Sequence, residues 1–245
     1  MDKRLSVLVV TCDKYSDLWD PFFKLFKKFW SDCPNDVYLG TNNKIYDNPS
    51  VKTICIGGDK SWCENVKSMI TQIPSDRILL LLEDFFLEET VNTNNVNKAL
   101  QYAIDNDIDC LRVCPNPPPQ TITYKELNIG LVKRNAPYYI STQPSIWKKD
   151  ALAYLLKDGY SAWDFEKKNT ADTNLKELKI YSSKDFIIKR HNGVERGKYY
   201  TSTIKLLEEN GIQVDPSKRG VIDDMSLSKR VYAKLYSLRR TLLSK

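Results

Sequence analysis

The chain has 245 residues and a mass of 28.4 kDa, enough for one large domain or two small ones. Hydrophobic residues make up 42% and charged residues 28%, a globular composition that excludes a disordered chain. The 37 basic and 31 acidic side chains give a net charge of +6, yet Lys229, Arg230, Lys234, Arg239, Arg240 and Lys245 carry all of it. The rest is balanced, which excludes a globally basic nucleic-acid binder.

The start, Met1-Asp2-Lys3-Arg4, leads straight into a short apolar run without the long hydrophobic stretch of a signal peptide. That run, residues 5–10, is nearly continuous, as expected of a strand buried on both faces. Residues 18–30 carry Leu18, Phe22, Phe23, Leu25, Phe26 and Trp30 on one helical face, with lysines between. Strands are expected at 37–39 and 51–56, and a helix at 62–73, stopped by Pro74. Residues 78–82 are the longest aliphatic run and the most buried strand. Five residues fall far short of the roughly 18 needed to span a bilayer, so a cytoplasmic protein is expected. A helix at 95–104 and a strand at 110–113 follow. This alternation predicts an α/β fold with a mainly parallel central sheet and helices on both faces.

Pro115-Asn116-Pro117-Pro118-Pro119 reads as a stiff extended turn. Beyond it, short strands are expected at 129–133 and 138–141, helices at 149–157 and 203–210, and extended chain at 179–190. In the last segment Leu227, Val231, Leu235, Leu238 and Leu242 form one apolar helical stripe beside six positive charges. It reads as an amphipathic helix able to lie on an anionic membrane surface, with packing on the domain or a partner as the alternative. The expected division is therefore 1–225 and 226–245.

The six cysteines, at 12, 33, 55, 63, 110 and 114, form no CxxC pair, and His191 is the sole histidine. Structural zinc needs four ligands, so reduced thiols are expected. There is no glycine-rich dinucleotide fingerprint and no P-loop.

Ligands of open α/β sheets bind beyond the carboxyl ends of the strands, so the residues that follow each strand carry the chemistry. After the first comes Thr11-Cys12-Asp13-Lys14-Tyr15, where Asp13 could accept from a base or ribose and Tyr15 could stack. Gly57-Gly58-Asp59-Lys60-Ser61-Trp62 follows the third. Glu83 and Asp84 close the aliphatic strand, and such charges need a cation, donors or water. A divalent ion on a diphosphate suits them; pairing with Arg77 or Arg112 is the alternative. In Ser161-Ala162-Trp163-Asp164-Phe165-Glu166, a general base could be Asp164 or Glu166, beside a sugar-stacking Trp163; helix capping is the alternative. His191 lies among Arg190, Arg196 and Lys198, basic groups suited to a diphosphate leaving group or to a plain solvated loop.

Taken in order, five stretches resemble glycosyltransferases of the GT-A type, more narrowly those that build bacterial capsule, O-antigen or exopolysaccharide. They are Val9-Val10-Thr11-Cys12-Asp13-Lys14-Tyr15-Ser16-Asp17-Leu18-Trp19, Ser61-Trp62, Leu80-Leu81-Leu82-Glu83-Asp84-Phe85, Gln143-Pro144-Ser145-Ile146-Trp147, and the segment around Trp163. The resemblance implies a single GT-A-like domain that inverts a UDP-sugar onto a hydroxyl of a lipid-linked glycan. Asp164 or Glu166 would be the base. Thr11, Asp13, Tyr15, Ser61, Trp62 and Arg112 would contact substrate, as would Trp163, His191, Arg196 and Lys198. Glu83 and Asp84 would hold Mn2+ or Mg2+, although the Asp-x-Asp usual in the family is here Glu83-Asp84-Phe85. A degenerate scaffold subunit or a nucleotidyl- or phosphotransferase are the competing classes.

Overall fold

The computed structural model describes residues 4–224, and the apolar basic segment at 226–245 lies outside them. The strands are β1 (Leu5–Val10), β2 (Asp36–Thr41), β3 (Lys52–Cys55), β4 (Arg77–Leu82), β5 (Phe85–Leu87), β6 (Cys110–Arg112), β7 (Thr121–Tyr124), β8 (Ile129–Leu131), β9 (Ser145–Lys148), β10 (Ile180–Ser183), β11 (Arg190–Asn192), β12 (Val194–Glu195), β13 (Lys198–Tyr200) and β14 (Val221–Ile222). The helices are α1 (Trp19–Phe29), α2 (Trp62–Ile70), α3 (Thr93–Asp105), α4 (Lys149–Leu155), α5 (Ala162–Ala171) and α6 (Thr201–Glu209). The chain separates into two compact units at Arg190/His191.

In the first unit a nine-stranded sheet has the order β3-β2-β1-β4-β9-β6-β10-β8-β7. Seven of the nine strands point the same way; β8 and β9 run against them. The expected α/β fold with a mainly parallel sheet is therefore what forms. β1 is buried at every position, as its uninterrupted apolar run requires.

Side chains alternate between the two faces of a strand. Leu8, Val10, Ile78, Leu80, Cys110, Trp147 and Ile180 share one face and pack on Val66 and Met69 of α2, Leu152 of α4 and Phe165 of α5. Val7, Val9, Leu79 and Leu81 have the other parity and are also buried. Arg77, of that second parity, donates to the carbonyls of Ile108 (2.6 Å) and Ala103 (2.9 Å) at the end of α3. Trp30 Nε1 donates to Thr93 at 2.9 Å and ties the end of α1 to the start of α3.

Two local expectations fail. Residues 138–141, expected as a strand, form a turn and a bend with no strand pairing. Tyr138 has φ +57, which no strand accommodates. The strand lies instead at β9, where the alternation Ser145, Ile146, Trp147 inserts antiparallel between β4 and β6. The stretch at 179–190 holds β10 and is then irregular until β11.

The second unit has a small sheet in which β13 pairs antiparallel with β12 and parallel with β14. The hairpin turn puts Arg196 (φ +50) and Gly197 (φ +82) in the left-handed region, as the tightest hairpin turns demand.

Candidate functional site

The strand order 3-2-1-4 reverses direction of progress between β1 and β4. The carboxyl ends of β1 and β4 lie side by side there, where open α/β sheets take their ligands. The residues at those ends are Thr11-Cys12-Asp13 after β1 and Glu83-Asp84 after β4. The Cys12 thiol is pushed up chiefly by burial and further by the nearby carboxylates of Glu83 and Asp59.

A hydrogen-bonded chain ties the neighbouring loops together. The Asp13 carboxylate accepts the backbone N–H of Asn42 (3.1 Å), Asn43 (3.1 Å) and Lys44 (3.2 Å). Asp13 N–H in turn donates to Asn42 Oδ1 at 3.0 Å. Asn42 and Asn65 both donate to Asp59 Oδ1, at 3.3 and 2.8 Å. The chain runs from β1 through β2 to the entry of α2. Asp13 organises this rim by holding three backbone donors. Thr11 is nearly buried and accepts from Trp19 Nε1 at 3.0 Å. Tyr15 lies half-buried in the 3-10 turn that follows β1.

Ser61 caps α2 in a reciprocal box with Glu64. Trp62 packs on Phe165 with ring centroids 5.3 Å apart. Ser161 and Asp164 form the same kind of box at α5. The Asp164 carboxyl is held below its ordinary value by Ser161 and then by Lys168, which pairs with it at 3.0 Å. Trp163 is 65% exposed, with the Lys167 ammonium 5.4 Å from its ring centre. Glu166 is 8% exposed, and its Oε1 accepts from Ser141 Oγ (3.1 Å), Thr142 N (2.8 Å) and Thr142 Oγ1 (2.9 Å). Arg112 has no exposed surface and donates to the carbonyls of Tyr138 and Tyr139.

Arg190 stands in the basic stretch around His191. Its guanidinium centre lies 4.1 Å from the Phe85 ring centre and it donates to Gln143 Oε1. Burial lowers its pKa, while the charges of Cys114, Asp84 and Glu88 oppose that shift. The half-buried guanidinium thus stacks on Phe85, the residue that follows Asp84. Its flanks, Lys189 and His191, gave no hint of burial.

In the second unit His191 Nε2 lies 3.1 Å from Ser202 Oγ and 3.0 Å from Thr203 Oγ1. Ser202 Oγ donates to Asp224 (2.5 Å) and Thr203 Oγ1 to the Gly193 carbonyl (2.9 Å). Both hydroxyl hydrogens have other acceptors, so Nε2 carries the hydrogen that the hydroxyls accept. Arg196 is exposed at the hairpin tip, with Glu195 at 3.9 Å, and Lys198 is exposed in β13.

Among the described residues no group of three or more His, Cys, Asp or Glu side chains could hold a metal ion. An ion that also binds substrate phosphates needs only one or two protein carboxylates, and Glu83 and Asp84 fit that sparser demand.

Comparison with solved structures places this architecture. A mannosyltransferase from Pyrobaculum calidifontis, in complex with GDP-Man and Mn2+, superposes with a TM-score of 0.51 at 12% identity. The match covers 79% of this chain and 58% of that one. The fold is GT-A-like, a mixed α/β fold with a mainly parallel central sheet. S. aureus TarS 1-349 superposes at 0.49 with 12% identity, covering 88% of this chain and 68% of that one. A cytidylyltransferase from Leptospira borgpetersenii superposes at 0.45 with 11% identity, covering 88% and 96%. No protein-family model matches the sequence, and no curated protein does. At these identities the likeness is one of fold, and the GT-A resemblance of the sequence is carried to that level. Among the described residues no helix is long and apolar enough to cross a membrane.

Proposed function

We propose that the chain is a nucleotide-sugar-dependent glycosyltransferase with a UDP-sugar donor in the crevice between β1 and β4. The observation that carries the reading is that β1 and β4 end side by side, with the hydrogen-bonded Asp13–Asn42–Asp59 rim beyond β1 and Glu83-Asp84 directly after β4. A crevice at this place in the sheet is where open α/β folds take nucleotides. The rim built by Asp13, Asn42 and Asp59 would receive the nucleoside. Asp59 is exposed and oriented by two amides, which suits it to accept a base N–H.

A divalent ion held by Glu83 or Asp84 would neutralise charge on the departing diphosphate. Arg190 would supply fixed positive charge in the same crevice, in a partly desolvated place where such charge acts strongly. The acceptor hydroxyl must lose a proton as it attacks the anomeric carbon. Of the two acids in the α5 segment, Asp164 has its carboxylate engaged by Ser161 and Lys168. Glu166 has all its hydrogen bonds on Oε1, which leaves Oε2 to take that proton. The reading makes Glu166 the base, an inverting displacement the mechanism, and exposed Trp163 an acceptor platform. Thr11, Ser61, Trp62 and Arg112 act from beneath as supports. A lipid-linked surface glycan as acceptor, and residues 226–245 as a basic tail on an anionic membrane beyond a domain of residues 1–225, complete the proposal.

The test is a donor-consumption assay across UDP-sugars. Glu166→Gln should lose at least about 100-fold in turnover, the usual size of a general-base contribution, and keep UDP binding. Full turnover in that variant would remove Glu166 from the role. UDP binding without turnover in the wild type would favour a scaffold subunit.

A further inference from the structure

Arg112 stands at the carboxyl end of β6, in register with Ser145 of β9 on one side and Ser182 of β10 on the other. Alternate residues share a face, so these three side chains form a row. Trp147 lies next to it, opposite Cys110. All four residues are fully buried. Arg112 uses one terminal nitrogen on the carbonyls of Tyr138 and Tyr139. Its Nε and other terminal nitrogen have no partner, and neither do Ser182 Oγ and Trp147 Nε1.

Buried donors left open are costly, and more so on a charged group. The counter-charge is Glu166, whose field acts on Arg112 although no hydrogen bond joins them. Arg112 and Glu166 also grip one segment from its two ends: Arg112 takes the carbonyls of 138 and 139, Glu166 the donors of 141 and 142. The open set contains N–H donors and a hydroxyl, and the Glu166 hydrogen bonds all fall on Oε1, leaving Oε2 without one. Water matches that mixture because it donates and accepts. A halide or oxyanion would meet the Glu166 carboxylate.

We propose that buried water bridges Arg112 and Ser182 to Glu166 Oε2, which makes Arg112 the positioning residue that keeps this carboxylate oriented. Its catalytic meaning rests on the transferase reading, whereas the bridge itself does not. The pair would clamp residues 138–142 and set the aim of Glu166 at once.

A crystal structure of the full chain that resolves ordered water, repeated after a bromide soak, tests the bridge directly. Water bonded to Arg112, Ser182 and Glu166 is expected. A bromide peak, a direct Arg112–Glu166 contact or no density between them would overturn it. A thermal double-mutant cycle gives a readout free of activity. Arg112→Met and Glu166→Gln together should lose less Tm than the two single losses added, because each alone strands a buried partner. Additive losses would contradict the coupling. Where Arg112→Met gives no folded protein, the density decides. Once turnover is measured, Arg112→Met should lower kcat at unchanged donor KM, and Arg112→Lys should restore part of it. An equal kcat in all three would leave the bridge purely structural and end the positioning role. If the bridge is found and no sugar is transferred, the transferase reading fails and the water-bridged pair stands.

Discussion

Asp13 shows how a residue picked for one task performs another. Its carboxylate takes three successive backbone N–H groups from the turn after β2. Hydrogen bonds to a charged acceptor contribute about 1.5–3 kcal/mol each where water is excluded, and less at a half-exposed rim. Asp13→Ala should cost about 2 kcal/mol in urea unfolding and weaken UDP binding about tenfold by loosening Asn42 and Asp59. The carboxylate was legible as important because it follows a buried strand. Its partners were not, since they are backbone groups some 30 residues away, which no local pattern reveals. The thiols offer a second check at this scale. Burial pushes Cys33 up to about 11, and Cys63 and Cys110 up to about 12, so almost no thiolate forms there at neutral pH. Cys55 is exposed. Iodoacetamide at pH 7.5 should label Cys55 first and leave Cys63 and Cys110 intact until the chain unfolds, read by peptide mass spectrometry. Saturating UDP should slow the labelling of Cys12, which borders the proposed crevice.

Among the elements, α5 carries the most chemistry and depends on its cap. The Asp164 carboxyl has a folded-state pKa below the unfolded value because Ser161 and Lys168 bond the ionised form. Its stabilisation is therefore present above the unfolded pKa of about 3.9 and is lost as pH falls through the folded value. The Tm gap between wild type and Asp164→Asn should be open at neutral pH and close in strong acid. Ser161→Ala should cost about 1 kcal/mol at neutral pH. The edge of the sheet has a comparable weak point at Gly130 in β8, where an added Cβ would sit 1.8 Å from the Thr121 carbonyl oxygen of β7. Gly130→Ala should destabilise the fold by about 3 kcal/mol, measured by denaturant unfolding. Strands buried on both faces were readable from sequence because their apolar runs are unbroken, as at β1 and β4. β9 was not, because four residues between Pro144 and a helix give too short a period to separate strand from turn. Residues 138–141 carried two tyrosines and an isoleucine, the composition of a strand, but follow Pro137 with Tyr138 at φ +57 and are held by Arg112 and Glu166 instead of by a neighbouring strand.

For the whole molecule, the alternation of strands and helices fixed the layer architecture, and the strand order then located the crevice. Strand order depends on crossovers between distant segments, so only the structure could show that β1 and β4 are neighbours with acids at their shared end. The placement of Arg190 was hidden for the same reason, since it comes from packing on Phe85 and Gln143, residues far away in sequence. The central claim is that this crevice binds a nucleoside diphosphate, and it is tested most directly by calorimetric titration of the full chain with UDP and with GDP, each with and without Mn2+. The account predicts saturable one-to-one binding of UDP that is weakened when both Glu83 and Asp59 are changed to amides. Absence of binding for both nucleotides in both conditions would contradict it.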